Sequence, residues 1–482
     1  MRGRRAPSHA APARGGQGDD RLGVRAGPQG SERRPSISVR AAALGILARV
    51  DRGGAYADIL LDRALRGGDF PDPRDRALLT ELVMGTLRRR GTVDHILSVH
   101  LPKPLAKTDP LARNALRLGA YQILYTRVPE RAALFETVEA VKDTRDDKVA
   151  GFVNAVLRAV VRAGKGPLPS AGEAAARDEA RHSVPAPLFD ALVRTLGEPE
   201  ALAFLAASLE RPPFTVRVNP FKASRDSLLA RLGAAGFAPS PCRFAPDGLV
   251  LGEPGGVHAD RGFLAGEYLV MDEGAQLVAP LLSPRPGESI LDACAAPGGK
   301  ATHLAALASG KARLVAADLS AGRVRLLKGT IARTGARGVE TASHDFSAGP
   351  LPGGAARFDK VLVDAPCTGM GVIRRNPDAK WRFRPEDLDR MAELQRAILA
   401  NAWPSLKRGG LLAYATCTPF REENEDVAAR FLADAHGEAS VVPPPANWTG
   451  PPEARTSDGF VRLSPHRDGT DGFFAALFRK RE

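Results

Sequence analysis

The sequence predicts a multidomain chain with an all-α N-terminal domain, a small α+β domain and a doubly wound α/β C-terminal domain. Three observations predict it. Residues 38–163 keep a helical apolar period with few breaks. A strand–helix–strand pattern runs from Pro212 to Leu251, and from Ser289 onward strands alternate with helical stretches. At 482 residues the chain exceeds one ordinary domain.

Residues 1–37 are rich in Gly, Pro, Ala and Arg, lack an apolar period, and read as a disordered basic tail. The helical domain is expected over 38–166. Ala41, Leu44, Leu47 and Ala48 recur at helical spacing, as do Leu78, Leu82 and Leu87, then Ile96 and Val99. A further helix is expected over Pro110–Leu124, with Asp109 as its cap and Pro110 in its first turn. Pro129 breaks the chain, and Leu134–Val161 supplies two more helices. Residues 167–182, rich in Gly, Pro and Ala, read as a linker.

The α+β domain is expected over 183–268. Pro187–Leu209 reads as helix and Pro212–Asn219 as a strand with Val216 and Val218 on one face. Ser224–Gly236 reads as helix and Gly248–Leu251 as a second strand. The strand order does not follow from the pattern. Residues 269–482 form the third domain, with strands at Ser289–Cys294, Arg313–Asp318, Phe358–Asp364 and Gly410–Thr416. Such alternation implies a mostly parallel, Rossmann-like sheet whose ligands collect beyond the carboxyl ends of its strands.

The totals restrict the class of function. Hydrophobic residues make up 44% and charged residues 26%, as in soluble globular proteins. No apolar run approaches the roughly 18 residues of a membrane span, and the N-terminus lacks a secretory core. Cys242, Cys294, Cys367 and Cys417 lie far apart in no metal-ligand spacing, so no metal, no disulfide framework and a cytoplasmic setting are expected. The net charge is +13, of which the first 35 residues carry +5 and the rest +8. A basic body suits a polyanionic partner, although a bias toward Arg in composition would produce the same figure.

The first strand of the third domain runs into Asp292-Ala-Cys-Ala-Ala-Pro-Gly-Gly-Lys300 and then into a helix. Gly298 and Gly299 allow a ligand close to the backbone, and the helix start offers free N–H groups. The spacing is neither that of a dinucleotide fingerprint nor that of a phosphate loop. Asp318 ends the second strand, where a carboxylate can accept from both ribose hydroxyls, and Asp345 follows a third strand, placed for an adenine amino group. Helix capping and turn formation are the plain alternatives for both. Lys300 is expected to pair with a carboxylate or a phosphate.

Two further strand ends carry cysteines, in Asp364-Ala-Pro-Cys-Thr-Gly369 and Ala415-Thr-Cys-Thr-Pro419. Together with Ala295-Ala-Pro-Gly-Gly-Lys300, Glu422-Glu-Asn-Glu425, Arg374-Arg-Asn-Pro-Asp-Ala-Lys-Trp381 and Asp471-Gly-Phe-Phe-Ala-Ala-Leu-Phe478, they resemble the NOP2/Sun family of RNA cytosine-5 methyltransferases. Ala120-Tyr-Gln-Ile-Leu124 and Val153-Asn-Ala-Val-Leu-Arg158 resemble the RNA-binding NusB antitermination fold. With a NusB-like domain in front, the order resembles the bacterial branch acting on 16S ribosomal RNA. The likeness runs from about residue 38 onward, departing in Thr418, where Ser is common, and in the basic tail.

The resemblance implies S-adenosylmethionine as methyl donor, held by Cys294, Ala295, Ala296, Pro297, Gly298, Gly299, Lys300, Asp318, Asp345 and Asp364. It implies 16S ribosomal RNA as partner, an RNA-binding role for the small α+β domain, and a chain acting as a monomer. Carbon 5 of cytosine is a weak nucleophile until a thiolate adds to carbon 6. The resemblance gives that attack to Cys417, release of the product to Cys367, and contact with the base to Asp364. The roles of the two cysteines would exchange if Cys367 attacked, as in DNA cytosine methyltransferases. The attacked base must be unstacked. Arg374, Arg375, Lys380 and Trp381 offer phosphate contacts and a stacking surface for it, while Glu422, Glu423 and Glu425 read as first-turn acids. His303 and His344 receive no role. Rival readings are the same chemistry on 23S or transfer RNA, a non-catalytic RNA-binding assembly factor, and a nicotinamide-dependent oxidoreductase.

Overall fold

The computed structural model describes residues 37–53, 55–143, 147–165, 174–353 and 356–482. The tail expected over 1–37 lies, apart from Ile37, outside the described residues.

Seven helices build the N-terminal domain: α1 (Val39–Asp51), α2 (Ala57–Arg66), α3 (Pro73–Arg88), α4 (Arg90–Ser98), α5 (Pro110–Tyr125), α6 (Glu130–Lys142) and α7 (Asp147–Ala163). Asp109 caps α5 as expected, accepting from the N–H groups of Leu111 and Ala112. Helix α5 is buried nearly all round, from Ala112 to Leu124, which makes it the axis of the domain. Two glycines let neighbours approach it. A Cβ on Gly85 of α3 would lie 2.0 Å from the Tyr121 hydroxyl, and one on Gly119 would lie 2.4 Å from Leu157. Arg117, buried within α5, pairs with Asp94 at 2.7 Å and Asp51 at 3.1 Å.

The linker expected over 167–182 is in part a helix. Ala174–His182 forms α8, while 167–173 lie outside the described residues. The physical reason is packing: Ala180 is buried, and just beyond the helix the Ser183 hydroxyl accepts the Gly91 N–H of α4 at 2.9 Å. The helix expected over Pro187–Leu209 is two, α9 (Ala186–Leu196) and α10 (Glu198–Ser208), broken at Gly197 with φ +79°.

The small domain is an antiparallel sheet of β1 (Phe214–Val218), β2 (Pro239–Pro241), β3 (Gly248–Leu251) and β4 (Tyr268–Val270) in the order β2-β3-β1-β4, with helices α11 (Arg225–Ala234) and α12 (Arg261–Ala265). Val216 and Val218 share the buried face as expected. Arg217 points the other way and is buried too, donating to the Thr302 hydroxyl of the third domain at 2.8 Å.

In the third domain, α13 (Glu273–Gln276) precedes β5 (Ser289–Asp292), α14 (Gly299–Leu307), β6 (Arg313–Asp318), α15 (Ala321–Thr334), β7 (Val339–Ser343) and β8 (Phe358–Asp364). Then come α16 (Glu386–Ala402), β9 (Leu406–Thr416), α17 (Glu425–Asp434), β10 (Ala439–Val442), β11 (Val461–Leu463), α18 (Pro465–Asp468) and β12 (Phe473–Lys480). The order is β10-β12-β9-β8-β5-β6-β7, with β11 against β12. The five strands β5–β9 are mutually parallel and β12 runs antiparallel to β9. Chain progression reverses between β5 and β8, which opens a crevice at their carboxyl ends.

Candidate active site

The loop after β5 and the ends of β6, β8 and β9 meet at that crevice. Gly298 has φ +110°, a conformation side-chain-bearing residues avoid, and a Cβ there would lie 3.0 Å from Leu327. Asp318, 3% exposed, braces the loop: its Oδ2 accepts the Ala296 N–H at 2.9 Å, and its Oδ1 accepts the Leu319 N–H at 2.9 Å and Arg323 Nε at 2.5 Å. Arg323 is half exposed, so a ligand hydroxyl can displace it. Asp345 also shapes a turn, accepting both the N–H and the hydroxyl of Ser347 on Oδ1. Asp292, 1% exposed, has carboxyl oxygens without a normal hydrogen bond, and burial followed by the neighbouring Asp364 pushes its pKa up to about 8. It is a neutral acid at pH 7.

Lys300, in the first turn of α14, is not the exposed lysine of many helix starts. Its Nζ donates to Asp364 Oδ2 at 2.6 Å and lies 5.3 Å from the Phe473 ring centre. Burial lowers its pKa, but Asp364, with a smaller pull from the Cys417 sulfur, raises it above the ordinary value. The crevice therefore holds a buried ion pair beside the cysteine loops.

Because Asp364 of β8 pairs with Ala415 of β9, the two cysteine loops leave neighbouring strand ends. Cys367 Sγ and Cys417 Sγ are 3.3 Å apart, and the Cys417 N–H also points at Cys367 Sγ at 3.3 Å. The contact with Cys417, then burial, pushes the Cys367 thiol well above its ordinary pKa. Cys367 is thereby held as S–H.

A buried frame sets this geometry. Glu423 accepts the Thr368 N–H at 2.9 Å, the Thr368 hydroxyl at 2.5 Å and Gln395 Nε2 at 3.0 Å, and its carbonyl takes the Tyr414 hydroxyl at 2.5 Å. Asn424 holds both flanks of Cys417, accepting from the Thr416 hydroxyl at 2.5 Å and donating to the Thr418 carbonyl at 2.9 Å. The Thr418 hydroxyl meets that of Thr368 at 3.0 Å, a role a serine hydroxyl fills equally. Behind Cys417, its carbonyl accepts the Gly371 N–H at 2.9 Å, and a Cβ on Gly371 would clash with that carbonyl and with Gly472.

Two readings of the sequence are corrected here. Glu423 lies in the single helical turn Arg421–Glu423, but its role is not that of a first-turn acid. It is fully buried and organises the Cys367 loop, whereas Glu425 does sit in the first turn of α17. Arg374, Arg375, Lys380 and Trp381 are not an RNA-facing surface. Arg374 and Lys380 are 4% and 1% exposed, Lys380 donates to the Arg88 carbonyl at 2.8 Å, and Trp381 Nε1 donates to the Leu87 carbonyl at 2.9 Å. Arg375 bridges Asp471 at 2.5 Å and Asp272 at 2.6 Å. Burial alone would lower its pKa, but the two carboxylates keep it charged. The segment is a strut between domains, because helix α3 ends there with carbonyls its own ladder cannot satisfy. Gln395, Tyr414 and Asn424 were missed; only the acid-rich run after Cys417 signalled that part of the frame.

Residues 37–162 match the NusB family, 184–258 match a RsmF/B-like ferredoxin-like domain, and 279–479 match the family described as 16S rRNA methyltransferase RsmB/F. A probable ribosomal RNA small subunit methyltransferase B of Bacillus subtilis is 36% identical over 92% of this chain and 99% of its own. This chain belongs to the ribosomal RNA small subunit methyltransferase B family. A second member, from Shigella flexneri, is 37% identical over 89% of this chain and 96% of its own. Among solved structures, PH0851 superposes with a TM-score of 0.78 at 27% identity, covering 93% of this chain and 99% of that one. A methyltransferase homologue from Pyrococcus horikoshii does so at 0.52 and 29% identity, over 63% and 97%.

Small subunit methyltransferase B proteins are S-adenosylmethionine-dependent, and RNA is their partner. The crevice fits that donor. Gly298 keeps the loop clear of a Cβ, and Asp318 brings a buried carboxylate to the same loop, a group suited to accept from ribose hydroxyls. Among the described residues no helix is long and apolar enough to cross a membrane.

Proposed function

We propose that this protein transfers a methyl group to carbon 5 of a cytosine in 16S ribosomal RNA through a transient bond between Cys417 and carbon 6, acting as a cytoplasmic monomer. The observation that carries the reading is the pair of sulfurs 3.3 Å apart at adjoining strand ends, next to the Lys300–Asp364 ion pair.

S-adenosylmethionine, when bound, supplies an electrophilic methyl on a sulfonium; the loop 294–300, Asp318, Asp345 and Asp364 would hold it. Cys417 attacks carbon 6 as the thiolate. Asp364, paired with Lys300, acts as an acceptor for the exocyclic amine of the base. Once carbon 5 is methylated, the S–C6 bond breaks and the C5–H electron pair restores the ring double bond, the C5 proton passing to the Cys367 thiolate left when Cys367 protonates the departing sulfur. Cys367, held as S–H against Cys417, donates to the departing sulfur. The choice of 16S rather than 23S or transfer RNA rests on the names of the family and its members.

RNA carrying 5-fluorocytidine tests the mechanism, because fluorine at carbon 5 cannot leave as a proton does. With methyl donor present, the wild-type chain should form an adduct that survives denaturing electrophoresis, and Cys417→Ala should form none. An adduct that persists in Cys417→Ala and disappears in Cys367→Ala reverses the two roles.

A further inference from the structure

None of the residues at the cysteine site takes part in a second feature, a groove of about 750 Å³ where α3, the end of α5 and the residues after α10 meet. Arg88, Arg89, Arg127 and Arg211 line it, against one carboxylate, Glu81, which is engaged by the Tyr121 hydroxyl at 2.5 Å. Among the described residues none of these four arginines has an ion-pair partner. Arg88 is 7% exposed and its Nε has no hydrogen-bond partner; burial, with Arg89 and Arg211 nearby, lowers its pKa. Four guanidinium groups gathered against one carboxylate repel one another, and a further anion relieves that repulsion.

The groove also has an aromatic wall. Tyr121 and Tyr125 are stacked with centres 5.9 Å apart, and the Arg89 guanidinium lies 5.1 Å from the centre of the Tyr125 ring. The exposed Lys165 ammonium lies 4.7 Å from the same ring. Cations alternating with a flat ring suit a nucleic-acid strand, which offers a phosphate and a π-face at every step. An acidic peptide would use the arginines and leave the rings without a function.

We propose that this groove binds a single-stranded segment of the RNA substrate, with phosphates on Arg89, Arg127 and Arg211 and a base on Tyr125 in place of Lys165. The inference rests on the reading that RNA is the partner, and not on the cysteine chemistry. Its geometry ties it to that chemistry nonetheless. Arg88 donates to the Arg374 carbonyl at 3.0 Å, and its own carbonyl takes Lys380, so the groove floor and the segment leaving the Cys367 loop are one braced unit.

The test uses the full chain and a fluorescein-labelled, cytosine-free single-stranded RNA of mixed sequence, read by anisotropy across salt concentrations. Arg127→Ala/Arg211→Ala should bind about tenfold more weakly, and the slope of log affinity against log salt should shrink by about 1.4, at ~0.7 per phosphate. Tyr125→Leu should also bind about tenfold more weakly, with its salt slope unchanged. Arg390→Ala/Arg430→Ala, which removes the same charge outside the groove, should behave as wild type, and circular dichroism melting confirms that each variant is folded. Wild-type affinity and slope in both groove variants overturn the proposal. So does tighter binding of a glutamate-rich peptide that the groove variants lose while keeping the RNA. Because the probe has no cytosine, failure of the covalent mechanism leaves these outcomes untouched.

Discussion

The two thiols of the crevice differ in their surroundings more than in their chemistry. Cys367 is penned between Cys417 and the frame built on Glu423, which favours its neutral form, while Cys417 faces the Lys300 charge. Under the proposed mechanism, Cys367→Ala leaves attack intact and slows release. That variant should accumulate a denaturation-resistant complex on ordinary RNA; efficient turnover without such a complex would remove Cys367 from the reaction. Asp292 allows a separate test, of stability. A carboxyl with its folded pKa raised to about 8 against an ordinary 3.8 prefers the protonated folded state. Its favourable contribution is present below about pH 4 and is lost as pH rises through 8. Asp292→Asn mimics the neutral acid and escapes that loss. The melting temperature of the variant relative to wild type should therefore climb between pH 5 and pH 8, and parallel curves would refute the assignment.

Single elements carry two jobs at once. The C-terminal carbonyls of helix α3 at Leu87 and Arg88 accept from Trp381 and Lys380, so a helix end of one domain is capped by side chains of another. The lysine sits favourably at the negative end of the helix dipole, although burial, with Arg88 and Arg89 near, lowers its pKa well below the ordinary value. Trp381→Phe keeps most of the ring packing and removes one hydrogen bond. It should cost about 1 kcal/mol, visible as a lower urea midpoint, and an unchanged midpoint would mean that the strut bears no strain-free bond there. Sequence periodicity located α5, β6 and β8 to within a residue or two, because their burial patterns are local properties. The same reasoning misjudged the 374–381 segment: a basic, aromatic loop in sequence has the composition of an RNA contact, and only the arrival of α3 turns it inward.

At the scale of the whole molecule, the helical domain is integral to the catalytic one. A chain beginning at residue 174 would leave Lys380 and Trp381 without partners and expose the faces they cover. It should melt several degrees lower than the full chain and show a broader calorimetric transition, whereas an unchanged melting curve would make the helical domain a mere appendage. The sequence by itself determined the three-part architecture, the strand ends where ligands gather, and the residue types of the crevice, since periodicity and turn chemistry are written within a few residues of each site. Tertiary structure alone decided that the two sulfurs meet, that Glu423 is buried under Thr368, and that four arginines converge on two tyrosines. Those outcomes depend on distance and burial between residues dozens to hundreds of positions apart, and no local pattern records them.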